Sequence, residues 1–217
     1  ANGDVTIDQD EHKGAYSYQG EDKENNRTYV NEDEKDDGKI IIKQNDKETA
    51  TSNTVTVQED VKKTNKDDGS EGRDVDIVID GVKADTSETG KSTVTVGEGA
   101  DVDLTVKDST LTTGGNGIDI GKDLDGTDEN KDTKVDLTLE DTTINQTNKN
   151  SAGLDVRQGS DVDLTLKGDN TIDGSQATGD KNVSDNTNVE GIRVGGEVAS
   201  DSSDAEKDAH LTIKGDT

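Results

Sequence analysis

The segment Val102-Asp103-Leu104-Thr105-Val106 recurs as Val135-Asp136-Leu137-Thr138-Leu139 and again as Val162-Asp163-Leu164-Thr165-Leu166. Weaker copies are Val75-Asp76-Ile77-Val78-Ile79 and Ala209-His210-Leu211-Thr212-Ile213. Apolar and polar residues alternate in each, which is the period of a strand with one buried face. Such a strand cannot bury its face alone, but stacked copies can, and self-similarity of this kind marks a stacked array. The repeat is decisive because composition by itself predicts no fold. The 217 residues include 51 Asp+Glu against 24 Lys+Arg, a formal net charge of −27, with 24% hydrophobic residues. Such chains ordinarily bury too little apolar surface to offset their conformational entropy. Here the scarce aliphatics fall on one side of short strands.

Each copy continues beyond its first strand. A short acidic turn leads to a second apolar-ended segment: Lys107-Asp108-Ser109-Thr110-Leu111, Glu140-Asp141-Thr142-Thr143-Ile144, and Lys167-Gly168-Asp169-Asn170-Thr171-Ile172. After a variable polar loop comes a third segment led by glycine: Gly117-Ile118-Asp119-Ile120, Gly153-Leu154-Asp155-Val156 and Gly191-Ile192-Arg193-Val194. Copies begin at 75, 102, 135, 162 and 209, so they lie 27, 33, 27 and 47 residues apart. The extra length is expected mostly between second and third strands, in loops such as Gly174–Asn188. The fold class is therefore all-β, a parallel β-helix (β-solenoid) with three short strands per coil. About five regular coils span 75–217.

Residues 1–74 read as irregular, charge-rich N-terminal coils or a cap. Val5-Thr6-Ile7, Lys39–Lys43 and Thr54-Val55-Thr56-Val57 are expected strands, and Thr93-Val94-Thr95-Val96 resembles the last of them. The segments Gln19–Gly38 and Asp60–Arg73 read as long loops or linkers. At the other end, Leu211–Thr217 begins a coil and stops, so the chain is expected to continue or another subunit to cover the edge. Starting at Ala1, it also reads as processed or excised from something longer.

No run approaches the ~20 apolar residues of a membrane helix. A surface this acidic repels phosphate, which argues against nucleic acid. The chain has no Cys, excluding disulfides and thiolate metal sites.

The V-D-L-T-L, D-[TN]-T-I and G-[IL]-[DR]-[IV] phrases resemble the right-handed parallel β-helix of pectate-lyase-like surface proteins, including bacterial adhesins and autotransporter passengers. The resemblance covers 75–217 well and 1–74 poorly. It implies an extracellular, non-catalytic structural or adhesive segment of a microbial surface protein. Its partners would be a host or cell-surface glycan or protein, or copies of itself, engaged through the long-loop side at Asn145–Asn150 and Gly174–Asn188. The alternative is a polysaccharide-acting lyase or hydrolase, or a carbohydrate-binding module. In the lyases of this fold, calcium-holding carboxylates act with an Arg or Lys base, and in its hydrolases carboxylate pairs serve instead. Arg157 and Arg193 fall beside third strands, near Asp155 and Glu190. The only aromatic residues, Tyr16, Tyr18 and Tyr29, lie outside the regular coils.

Calcium (Ca2+) is the one cofactor the residues suggest. Asp103, Asp136 and Asp163 take the same outward position in successive copies, about 4.8 Å apart if stacked. Such a column is either bridged by cations or a solvated acidic face. Asp119 closes Gly114-Gly115-Asn116-Gly117-Ile118-Asp119, which matches the start of a calcium-binding nonapeptide, although one copy cannot share an ion between adjacent turns. Asp123 and Asp125 open an oxygen-rich loop, Asp123–Glu129, that lacks the EF-hand glycine and final glutamate. N-x-[ST] acceptors stand at Asn26, Asn145 and Asn182, and His12 and His210 read as surface residues.

Overall fold

The alternating segments are extended and pair in parallel. The computed structural model describes residues 3–9, 16–19, 27–29, 40–44, 46–62, 75–127, 131–175, 190–195 and 208–215. Among them are β1 (Val5–Gln9), β2 (Tyr16–Gln19), β3 (Arg27–Tyr29), β4 (Ile40–Lys43), β5 (Val55–Val57), β6 (Asp76–Asp80), β7 (Lys83–Asp85), β8 (Val94–Gly97) and β9 (Asp101–Lys107). There follow β10 (Thr110–Thr113), β11 (Ile118–Lys122), β12 (Thr133–Glu140), β13 (Thr143–Gln146), β14 (Ala152–Val156), β15 (Ser160–Lys167), β16 (Thr171–Asp173), β17 (Glu190–Val194) and β18 (His210–Gly215). No helix occurs among the described residues, and so none is long and apolar enough to cross a membrane.

The strands form three sheets, each taking every third strand of the regular region. A six-stranded sheet runs β18-β15-β12-β9-β6-β4, a four-stranded sheet β16-β13-β10-β7, and an eight-stranded sheet β17-β14-β11-β8-β5-β1-β2-β3. All pairings are parallel except β1–β2 and β2–β3. Thus β6–β8, β9–β11, β12–β14 and β15–β17 are successive three-strand repeats. Leu104, Leu137 and Leu164 stack in register and are fully buried. So are Ile118 and Leu154 on the eight-stranded sheet and Leu111 and Ile144 on the four-stranded one. All three faces feed one apolar cluster.

Corners set the geometry. The six- and four-stranded sheets are joined by residues 81–82, 108–109, 141–142 and 168–170. The first residue of each, Gly81, Asp108, Asp141 or Gly168, has positive φ (65°, 49°, 47° and 64°). Gly and Asp tolerate that conformation best, which accounts for the acidic turns. Glycine at the head of the third strand has a different cause. A Cβ on Gly117 would overlap the Gly153 carbonyl oxygen and Ile144 Cγ2, and one on Gly153 would overlap Ile172 Cγ2 and lie 2.7 Å from the Gly191 oxygen.

Four findings refine the sequence reading. Residues 40–62 carry strands of the same sheets: β4 pairs with β6, and Val55, Thr56 and Val57 oppose Val94, Thr95 and Val96. Tyr16–Gln19 and Arg27–Tyr29 are strands in an antiparallel extension of β1, the second of them inside the segment Gln19–Gly38 expected as a loop or linker. The 33-residue spacing between residues 102 and 135 arises after the third strand, at 123–132, rather than before it. Finally, Leu211 rather than Ala209 sits opposite Val162. A two-residue slip keeps the same side chains inward, so alternation cannot distinguish the two registers.

Candidate functional site

The outer face of the eight-stranded sheet is covered on one side by corners. Residues 90–92, 114–116 and 148–151 fold beside it and leave a cleft of about 650 Å³. Its floor includes Thr6, Thr56, Thr95 and Asp119, which occupy one register position on successive strands. Asp155 and Arg193 continue that column. The lining contains five cations (Lys91, Lys122, Lys149, Arg157, Arg193) and two carboxylates (Asp4, Asp119), the reverse of the 24 to 51 ratio in the whole chain.

Two forked ion pairs build this floor. Arg157 donates from Nε to Asp119 Oδ1 at 2.6 Å and from Nη2 to Oδ2 at 2.9 Å. Arg193 repeats the arrangement one repeat later, donating from Nε and Nη2 to the two oxygens of Asp155 at 2.9 and 2.5 Å. Asp119 and Asp155 are only 3% and 1% exposed. Asn116 Nδ2 donates to Asp155 Oδ2 at 2.9 Å, while its Oδ1 accepts from the Ala152 N–H. Burial alone would lower the pKa of Arg157, but the hydrogen bond and charge of Asp119, helped by Asp155, hold it above its ordinary value. The hydrogen bond from Arg193 to Asp155 is the main cause of that arginine's raised pKa. Bidentate pairs of this kind fix orientation as well as charge.

The residues expected to bind calcium therefore separate into three places. Asp103, Asp136 and Asp163 do stack, and Asp76 extends their column. The slipped register of β18 ends it at Thr212, and Lys214 Nζ reaches Asp163 Oδ2 at 2.8 Å. That hydrogen bond lowers the pKa of Asp163. Asp119 takes the Arg157 fork on both oxygens, and Gly114-Gly115-Asn116 forms a corner: Cβ atoms on the two glycines would lie 2.7 Å from the Thr86 oxygen and 2.6 Å from the Ser92 nitrogen. Asp123 and Asp125 come together, and Glu59 joins them. Among the described residues these are the carboxylates that offer oxygens all within 4.8 Å of one another. The sequence reading did not include Glu59. Aligning Val57-Gln58-Glu59 with Val96-Gly97-Glu98 brings out the signal, because each acid follows the last buried valine by two.

Asn148, Lys149 and Asn150 of the expected binding loop line the cleft. Asn145 lies on β13 between Thr112 and Asp173. Asn26, Asn182, His12, Asp128, Glu129 and most of Gly174–Asn188 lie outside the described residues, and His210 is exposed on β18. Comparison with protein-family models, curated proteins and solved structures found no match.

Proposed function

We propose that this chain is a parallel β-solenoid segment of an extracellular microbial surface protein, a rigid non-catalytic support that adheres through the cleft on its eight-stranded sheet. The observation carrying this reading is the cleft's reversed charge balance within a strongly acidic molecule. High net charge keeps such a support soluble. An excess of cations confined to one cleft favours a ligand bearing carboxylate or sulfate groups, on a cell-surface glycan or protein. The arginines orient the floor, since both are engaged by buried carboxylates, and this supports a binding role over a catalytic one. Lys91 precedes β8 and Lys122 ends β11 opposite Gly97, and these two lysines of the lining would meet the ligand's charges.

The test is a binding panel of neutral, uronate-containing and sulfated oligosaccharides, with the wild-type chain and a Lys91→Ala/Lys122→Ala variant. Binding restricted to acidic members, weakened at least tenfold in the variant and by raised salt, is the expected result. Binding to neutral members alone, or undiminished in the variant, would overturn the proposed role of the cleft. Fragmentation of a bound polymer would overturn the non-catalytic assignment.

A further inference from the structure

The corner that follows each strand of the eight-stranded sheet stacks in the same way as the strands. Val57, Val96 and Ile120 are in register, and Gly97 opposes Lys122. Beyond them the Asp60 N–H donates to the Glu98 carbonyl and the Glu98 N–H to the Lys122 carbonyl, at 3.1 and 3.0 Å. Glu59, Glu98 and Asp123 consequently follow one another through three successive corners.

The middle acid is the anomaly. Glu98 is 4% exposed, and its Oε1 is buried with no hydrogen-bond partner. Burial raises its pKa, and the charge of Glu59 adds to this, against a backbone hydrogen bond from Lys131. Its corner lies between those of Glu59 and Asp123. Leaving a buried charged oxygen unpaired is costly. Around it, Glu59 Oε1 accepts from the backbone N–H groups of Leu124 and Asp125 at 2.5 and 3.0 Å, drawing the 123–127 loop onto the corner two repeats earlier. Lys131 Nζ stands 3.6 Å from Glu59 Oε2 and 3.0 Å from Asp60 Oδ2. The same ammonium acts through its charge on Glu98 and Asp125.

The chemistry selects the ion. Every donor is an oxygen, which suits a hard divalent cation. Two oxygens on one calcium ion lie at most about 4.6–5.2 Å apart, twice the metal–oxygen distance. The Glu59, Asp123 and Asp125 oxygens fall inside that span. We propose that Glu59, Asp123 and Asp125 bind one calcium ion, that Glu98, in the corner between those of Glu59 and Asp123, turns its unpartnered oxygen to that ion, and that the ion fastens the 123–127 loop to the earlier corner. The site adjoins the cleft, which Lys122 and Leu124 line, but does not rest on the role proposed for the cleft.

The full 217-residue chain, stripped with chelator, is titrated with calcium by calorimetry and with terbium by luminescence in physiological salt. It is then melted with calcium and with chelator. Expected are one equivalent of saturable binding, terbium displaced by calcium, and a higher melting temperature with calcium. Glu98→Gln should weaken calcium at least tenfold, yet melt at or above wild type in chelator, because a repelling charge is gone. Asp125→Asn, at an exposed position that should not disturb folding, should weaken calcium comparably, and Asp103→Asn should leave it unchanged. Three results would overturn the site. They are no saturable binding up to millimolar calcium, affinity unaffected by Glu98→Gln and Asp125→Asn, or affinity lost in Asp103→Asn.

Discussion

Substituting the stacked glycines tests the packing between repeats most directly. Gly117, immediately before β11, shares one register position with Gly153 on β14 and Gly191 on β17. None has the positive φ that would itself penalise alanine. The cost must then come from space. In Gly117→Ala the new methyl meets a backbone oxygen of the next strand and Ile144, which is fully buried. In Gly153→Ala it meets Ile172, which is only partly buried and can give way, together with the Gly191 oxygen 2.7 Å away on an edge strand. In Gly191→Ala the nearest atom is 3.8 Å away, an ordinary contact. Overpacking costs about 1–3 kcal/mol, so Gly117→Ala belongs at the upper end and Gly153→Ala below it. Gly191→Ala should be neutral or stabilising by up to about 1 kcal/mol, because alanine restricts the unfolded chain. With a urea m-value of about 1–3 kcal/mol/M, Gly117→Ala should lower the urea midpoint by roughly 1 M or more, while Gly191→Ala should not lower it. Equal losses at all three positions, or a larger loss at Gly191, would refute the stacking argument.

Arg193→Ala should destabilise the fold by about 3 kcal/mol, the low end for breaking a buried ion pair, because Asn116 and the more distant Arg157 still face Asp155. Adding Asp155→Asn should recover part of that loss in urea unfolding. Cysteines replacing Thr138 and Thr165, Cα partners on β12 and β15, should form a disulfide under mild oxidation, because adjacent strands lie about 4.8 Å apart. Cysteines at Thr105 and Thr165, two strands apart, should not, and a mass measurement that finds the reverse would contradict the strand order. Asp80 lies between Lys43 and Lys107, with Nζ atoms at 3.1 and 3.5 Å, and its pKa is lowered chiefly by the Lys43 hydrogen bond. A lowered carboxylate stabilises above its unfolded pKa of about 3.9, and the contribution fades as pH falls through the lower folded value. The wild-type advantage over Asp80→Asn, about 1 kcal/mol or less for a pair this exposed, should be constant from pH 7 to 5 and vanish in strong acid.

The regular columns were legible because each strand commits its aliphatics to one face, as Val135, Leu137 and Leu139 do. What alternation could not supply was anything periodic in two, hence the slip of β18. Strand β7 escaped notice because it buries one small apolar side chain, Ala84. Asp119 and Asp155 sit at outward positions, which alternation assigns to solvent. They are buried because corners from other parts of the repeat cover that face. Arg157 and Arg193 were rightly set beside third strands, but a carboxylate-rich chain offers many partners, and only the three-dimensional fork selects one. The convergence of Glu59 with Asp123 and Asp125 depends on which corner stacks on which, information that resides in the register of the whole array.

The two- and three-residue corners between the six- and four-stranded sheets confine where this molecule can change length. One residue added before the left-handed Asp or Gly would displace it, whereas the 168–170 corner takes its extra residue after Gly168 and keeps Thr171 opposite Thr143. Elsewhere the spacing already differs between repeats, at 86–93 against 114–117, and at 98–100 against 123–132. Insertions and deletions should therefore accumulate during divergence along two of the three edges and be held to about one residue on the third. The same asymmetry guides grafting. A foreign peptide placed beside Gly90, where an added Cβ would meet nothing within 4 Å, should leave the array intact, whereas the same peptide beside Asp141 should not.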